Sequence, residues 1–87
     1  MPYQIDIAKS AARDFKRLDG TVKRRVQVAI DALKENPRPP GVKKLEDSDD
    51  LWRIRVGDYR IIYSVVDDKL LVLVVRVRHR KDAYRSK

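Results

Sequence analysis

Arginine recurs at Arg53, Arg55, Arg60, Arg76, Arg78 and Arg80, inside runs whose other members are the apolar residues of strands. Guanidinium groups stay charged at physiological pH and fork onto phosphate oxygens. The set is therefore suited to binding and stabilising a phosphate anion, and unsuited to moving a proton. Conventional catalytic sets are thin. The chain has no cysteine and no Gly-rich phosphate loop; Ser10, Ser64 and Ser86 show no triad pattern, and His79 is the only imidazole. A thiolate metal site and disulfides are excluded, and one histidine with no obvious second ligand makes no zinc site, so neither metal nor cofactor is expected.

RNA offers a reaction that needs little more than charge and orientation. Its own 2′-hydroxyl attacks the adjacent phosphodiester when the strand is bent into line. The enzyme then supplies positioning and stabilises the phosphorane-like transition state. Proton transfer falls to another group. Tyr84, at the edge of the basic cluster, is the acid-base candidate; the alternative is an ordinary tail tyrosine packed on the sheet. His79 shares the parity of Val77 and reads as a core-side histidine, with a proton carrier beside Arg80 as its alternative.

The elements that position these residues lie between Leu51 and Tyr84. Trp52, Ile54 and Val56 alternate with Arg53 and Arg55, the period of a strand with one buried face. Gly57-Asp58 offers a two-residue hairpin turn, which sets Arg55 opposite Arg60, Ile54 opposite Ile61 and Trp52 opposite Tyr63. Tyr59, Ile61, Tyr63 and Val65 then share the core face with Leu71, Leu73, Val75 and Val77. That parity requires an odd loop such as Asp67-Asp68-Lys69 and puts Arg60 opposite Arg76. Arg53, Arg55, Arg60, Arg76, Arg78 and Arg80 fall on the other face. Like charges facing each other across a ladder are destabilising by a few tenths to about 1 kcal/mol. An anion is the expected relief, and nucleic acid the expected anion.

Upstream, Tyr3-Gln4-Ile5-Asp6-Ile7 alternates as a first strand. From about Lys9 the period becomes helical, with Ala8, Ala11, Ala12, Phe15 and Leu18 on one stripe, until Asp19-Gly20 breaks it. A second helix carries Val22, Val26, Ala29, Ile30 and Leu33, with Asp19 or Thr21 as its cap and Asn36-Pro37 as its end. Basic residues on both helices read as solvated faces. Pro37, Pro39 and Pro40 make residues 36–42 a stiff extended connection. Lys43-Lys44-Leu45 reads as a short edge segment, residues 46–50 as an acidic loop, and residues 81–85 as one helical turn or an extended tail. The order strand, helix, helix, three strands predicts an α+β domain, with a mainly antiparallel sheet, two helices on one face and a basic opposite face.

The 87 residues make one small domain, 1–87, carrying 21 Lys+Arg against 13 Asp+Glu for a formal charge of +8. Ten basic and four acidic residues follow from Arg53 onward, so the excess charge belongs to the sheet and tail. Such a domain binds phosphate backbones or an acidic protein in a salt-dependent way. No apolar run reaches membrane-spanning length and no signal segment is recognisable, which predicts a cytoplasmic protein with no membrane partner.

The chain resembles toxins of the RelE family, within the RelE/ParE superfamily of type II toxin-antitoxin modules. The resemblance rests on A-x3-F-x2-L in the first helix, the second helix closing at Asn36-Pro37, the lead-in Lys43-Lys44-Leu45, then WRIRVGDYRIIY and VRHRKDAY. It implies a ribosome-dependent endoribonuclease that cuts messenger RNA in the decoding site of the 70S ribosome by 2′-hydroxyl attack, held inactive by a cognate antitoxin in a heteromeric complex. The catalytic positions it implies are Arg53, Arg55, Arg60, Arg80 and Tyr84, with Lys43, Lys44, Arg76, Arg78, His79 and Lys81 as further RNA-binding residues. The best-known members carry lysines where this chain has Arg53 and Arg55, so a lysine base is absent here. The alternative is a ParE-like toxin that binds DNA gyrase and cuts nothing.

Overall fold

The alternating runs become strands of one five-stranded sheet. The computed structural model describes residues 2–45 and 50–81. In chain order its elements are β1 (Gln4–Ile7), α1 (Lys9–Lys16), α2 (Gly20–Ala32), β2 (Lys43–Lys44), β3 (Leu51–Val56), β4 (Tyr59–Val66) and β5 (Leu71–His79). The sheet order is β1-β5-β4-β3-β2, with β1 parallel to β5 and the other neighbours antiparallel. The α+β expectation holds, and Lys43-Lys44 forms the expected edge segment as β2.

Both helices bury their apolar stripes on the same sheet face. Asp19 caps α2 by accepting the Val22 N–H at 3.0 Å. Val26, Ile30 and Leu33, spaced by four and three, then meet Ala11 and Leu18 from the α1 segment. Under them lie Ile54, Ile61, Tyr63, Val72, Val74 and Val77. The first hairpin has the expected register, Arg55 pairing with Arg60 and Trp52 with Tyr63. Gly57 holds φ 60 at the first loop position, the requirement of a II′ turn.

The second hairpin departs from expectation. A single 3-10 turn at Asp67–Lys69 is followed by Leu70 at φ 50, so the loop has an even length and Val66 pairs with Leu71. Val72 and Val74 thereby face inward, opposite Val65 and Tyr63, and both are fully buried. The register then shifts by one. Tyr63 pairs with Val74 but Ile62 pairs with Arg76, which leaves Val75 as the extra residue of a bulge. Beyond it the odd residues turn inward, beginning with Val77. The expected odd core face is thus correct only past the bulge. Leu71 and Leu73 pair with Val66 and Ser64 on the opposite face, and the partner of Arg60 is Arg78, not Arg76.

The bulge has a partner on α1. β1 ends at Ile7, opposite Val74, so the outer edge of β5 beyond that point has no strand beside it. The start of the α1 segment takes the place of one. Ala8 N–H donates to the Val74 carbonyl at 2.9 Å and the Ser10 hydroxyl to the Val75 carbonyl at 2.6 Å. One helical turn on, Asp14 accepts from Val77 N–H at 2.9 Å and from Arg76 Nε and Nη2 at 2.8 and 3.2 Å. Edge groups that would otherwise be unmet are satisfied by side chains four residues apart. Burial pushes the Asp14 carboxyl up, but the hydrogen bonds from Arg76 and Val77 outweigh it and hold the group below its ordinary value.

The proline connection is pinned at the other end of the sheet. The buried Tyr63 hydroxyl donates to the Pro37 carbonyl at 2.7 Å, and burial pushes its pKa up to about 12. Arg38 forks onto Asp67 at 3.1 and 3.0 Å and lies over the Trp52 ring, while the Tyr3 hydroxyl also donates to Asp67. The acidic loop 46–49 lies outside the described residues.

Asp14→Ala removes the acceptor of Val77 N–H and the partner of Arg76, and the expected cost is about 1 to 3 kcal/mol, read from the denaturant midpoint. The stability contributed by a lowered carboxyl pKa is fully present above the ordinary value of 3.8 and is lost as pH falls through the folded value. The variant should therefore also flatten the acid limb of the stability profile. An unchanged midpoint and acid limb would mean that the β5 edge is held by something else.

Candidate nucleic-acid interface

Three adjacent strands each place an arginine at one level of the sheet. Arg55 pairs with Arg60, and Arg60 with Arg78, so the three form a row across β3, β4 and β5. The next row toward the middle runs Lys43, Arg53, Ile62, Arg76. Strand alternation sets both rows opposite the helices, because Ile54, Ile61 and Val77 occupy the helix side. Residues paired across a ladder have Cβ atoms about 4.5 to 5.5 Å apart. The guanidinium groups of the row therefore share one electrostatic field. Arg60, in the middle strand, is only 9% exposed and is the buried charged residue among those described.

The structure gathers some expected residues and separates others. Arg53 and Arg78 are half-buried beside Arg60, and Arg55 is exposed at the end of the row. Lys43 stands at the sheet edge in register with Arg53. Arg80 is exposed, and its backbone N–H donates to the Asp58 carbonyl at 2.7 Å, which ties the end of β5 to the first hairpin turn. Lys81 is also exposed. Arg76, in contrast, is committed to Asp14 on α1. Lys44 pairs with Trp52 and holds its ammonium 5.8 Å from that ring's centre, away from the arginine row. Tyr84 and the tail from 82 to 87 lie outside the described residues.

His79 pairs with Tyr59 on the helix side, and the two rings meet edge to face at 5.1 Å. Its Nδ1 accepts the Lys81 N–H at 3.2 Å. Arg17, Tyr59, Arg76, Arg78 and His79 line a cleft of about 370 Å³ around Asp14, against the edge of β5. Among the described residues, no three His, Cys, Asp or Glu side chains are grouped so as to hold a metal ion. No helix among them is long and apolar enough to cross a membrane.

Sequence reading missed two contributors. Asp14 sits between Arg13 and the basic residues that follow on α1; that isolated carboxylate, one turn after Ser10, was the available signal. Arg25 falls among the helix residues whose pattern predicts a solvated face, yet its guanidinium rests against Gly57 in the hairpin turn.

A row of like charges favours an anion seated across it. Low-millimolar tripolyphosphate should raise the melting temperature of the wild-type protein and raise that of Arg78→Gln less. Equal shifts in the two proteins would remove the row as the anion's seat.

The fold and the sequence are shared with known proteins. A family model described as the ParE toxin of type II toxin-antitoxin system, parDE, matches residues 5–84. The chain is similar to the mRNA interferase toxin RelE of Escherichia coli K12, at 30% identity over 88 residues, covering 97% of this chain and 92% of that protein. It is also similar to toxin RelE of Mycobacterium tuberculosis, at 32% identity over 85 residues, covering 97% and 88%. Among solved structures, the archaeal RelE-RelB complex from Pyrococcus horikoshii matches with a TM-score of 0.81 at 33% identity, over 92% of this chain and 97% of that one. The match runs from the first strand into the tail, and the Escherichia coli and Mycobacterium tuberculosis relatives are RelE toxins. The chain belongs to the RelE family of type II toxins, within the RelE/ParE superfamily.

Proposed function

We propose that this toxin is a ribosome-dependent endoribonuclease that cuts messenger RNA through attack of the RNA's own 2′-hydroxyl. The observation that carries the reading is the row Arg55, Arg60, Arg78. A toxin that only poisoned a protein target by surface contact would have no need of three arginines in register, since each ladder pair of like charges costs stability. Phosphoryl transfer does need them. In this reading the 2′-hydroxyl gives up its proton to water as its oxygen bonds to the adjacent phosphorus, the 5′-oxygen leaves and takes up a proton, and the products are a 2′,3′-cyclic phosphate and a 5′-hydroxyl. Charge accumulates on the non-bridging oxygens on the way, which is where fixed guanidinium groups act.

The roles divide by what each group is able to do. Arg60 and Arg78 hold the reacting phosphate, Arg53 and Arg55 the sugar-phosphate on its β3 side, and Arg80 the leaving-group side. Lys43 and Lys81 extend the basic track. None of the arginines moves a proton, so we assign the proton on the leaving oxygen to Tyr84. The ribosome presents the strand bent, which supplies the in-line geometry this small domain does not impose alone.

A cognate antitoxin, carrying acidic and apolar side chains, covers the open face in the resting cell, neutralising the row and burying Leu71 and Leu73 at the other end of that face. The Pyrococcus horikoshii relative was solved as a complex with RelB. A ribosomal target and an antitoxin partner would put the activity in the cytoplasm.

Incubation with translating ribosomes, followed by mapping of cut ends, tests the reading. The expected products are messenger fragments cut at the decoding site with cyclic phosphate and 5′-hydroxyl termini. Intact messenger together with inhibited DNA supercoiling would replace it with the gyrase-binding alternative. For the proton assignment, Tyr84→Phe should slow single-turnover cleavage by about 10² to 10⁴ while leaving ribosome affinity nearly unchanged. Wild-type cleavage by Tyr84→Phe, together with an inactive but folded His79→Ala, would move the proton to His79.

A further inference from the structure

The turn Gly57-Asp58 is a meeting point for cations from three elements. Arg55 and Arg60 flank it along the first hairpin, and Arg80, at the end of β5, is bonded to it through the Asp58 carbonyl. The third element is α2. A Cβ built on Gly57 would lie 3.2 Å from Arg25 Nη1, 3.4 Å from Nη2 and 3.5 Å from Cζ. At those distances the guanidinium occupies the space that a side chain at Gly57 would crowd. Gly57 thus serves two demands at once, a positive φ and a bare backbone surface beneath Arg25.

Arg25 is exposed, and among the described residues it forms no ion pair, although Asp58 lines the same small cavity of about 110 Å³. An exposed arginine already held against a turn has less freedom left to lose when an anion arrives than a mobile one does. The turn is also the tip of the β3-β4 hairpin. A chain of phosphates that leaves the Arg55-Arg60-Arg78 row over this end crosses Gly57 and arrives at Arg25.

We propose that Arg25 is an RNA-binding residue that extends the phosphate track from the open sheet face, over the hairpin tip, onto α2. It would hold the backbone of a nucleotide flanking the cut and take no part in the chemistry. The inference rests on the endoribonuclease reading for its ligand, and the experiment separates the two.

The probe is a short single-stranded RNA of mixed sequence, bound by the full-length toxin and followed by anisotropy at several salt concentrations. Single-turnover cleavage on programmed ribosomes and thermal melts are measured in parallel. Arg25→Gln should weaken RNA binding roughly 1.5- to 5-fold, as removal of an exposed charge contact does, and lower the salt slope by about 0.7. It should raise the half-saturating ribosome concentration with the saturated rate unchanged, and leave the melting temperature in place. Arg25→Lys should restore most of the salt slope. An unchanged salt slope in Arg25→Gln overturns the proposal, as does a loss of affinity accompanied by a drop in melting temperature that Arg25→Lys does not repair. If the wild type cuts nothing but Arg25→Gln still loses the slope, the endoribonuclease reading fails and the Arg25 contact stands.

Discussion

The carboxylate of Asp14 is the contact on which the site's geometry depends. It accepts two donors from Arg76 and one from the Val77 backbone, at the point where β5 has run past the end of its neighbour β1. Without an acceptor there, the free edge of β5 would carry an unmet N–H beside a buried valine, at a cost of about 1 to 3 kcal/mol. With it, the strand keeps a bulge at Val75, and the bulge reverses which residues face inward. Val72 and Val74 pack under the helices on one side of the bulge and Val77 on the other. The same reversal brings Arg78 level with Arg60 and Arg55. Core packing and the charged row are consequences of one kink, clamped by one helix.

The division of the arginines follows from it. Without the bulge, the register that pairs Tyr63 with Val74 would have set Val77 opposite Arg60. The structure instead commits Arg76 to an intramolecular ion pair and leaves Arg78 in the row. Arg60 occupies the centre of that row at 9% exposure, in a strand with neighbours on both sides. A positive charge so placed is pre-positioned, and its environment reorganises little when an anion binds. The exposed groups, Arg55, Arg80 and Lys81, lie toward the hairpin end, where a long polyanion would enter and leave.

Much of this was legible in the sequence. Period-two alternation and Gly57 fixed the first hairpin to the residue, because a two-residue turn leaves no freedom in register. Helical stripes gave both helices, and Asp19 their one side-chain cap. The second hairpin was not legible in the same way. Parity assumes an unbroken ladder, and Leu71, Leu73, Val75 and Val77 form as good an apolar face as Val72 and Val74 with their even neighbours. The choice between them is made by Leu70 in a left-handed conformation and by hydrogen bonds from α1, residues more than 60 positions away in the chain. Arg25 was unreadable for a similar reason. Its partner is a glycine, and no local pattern marks a glycine that has been left bare for a neighbour.

The central claim is that Arg60 and Arg78 act on one phosphate because the bulge sets them in register. A double-mutant cycle on single-turnover cleavage tests it, using Arg60→Ala, Arg78→Ala and the double variant, each checked for a cooperative melt. If both stabilise the same transition-state charge, each single change should slow cleavage, by about 10² to 10³ where the lost group resembles an oxyanion-hole donor. The double variant should then lose less than the product of the two. Rates that multiply cleanly, or an Arg78→Ala variant that cleaves like the wild type, would contradict the account.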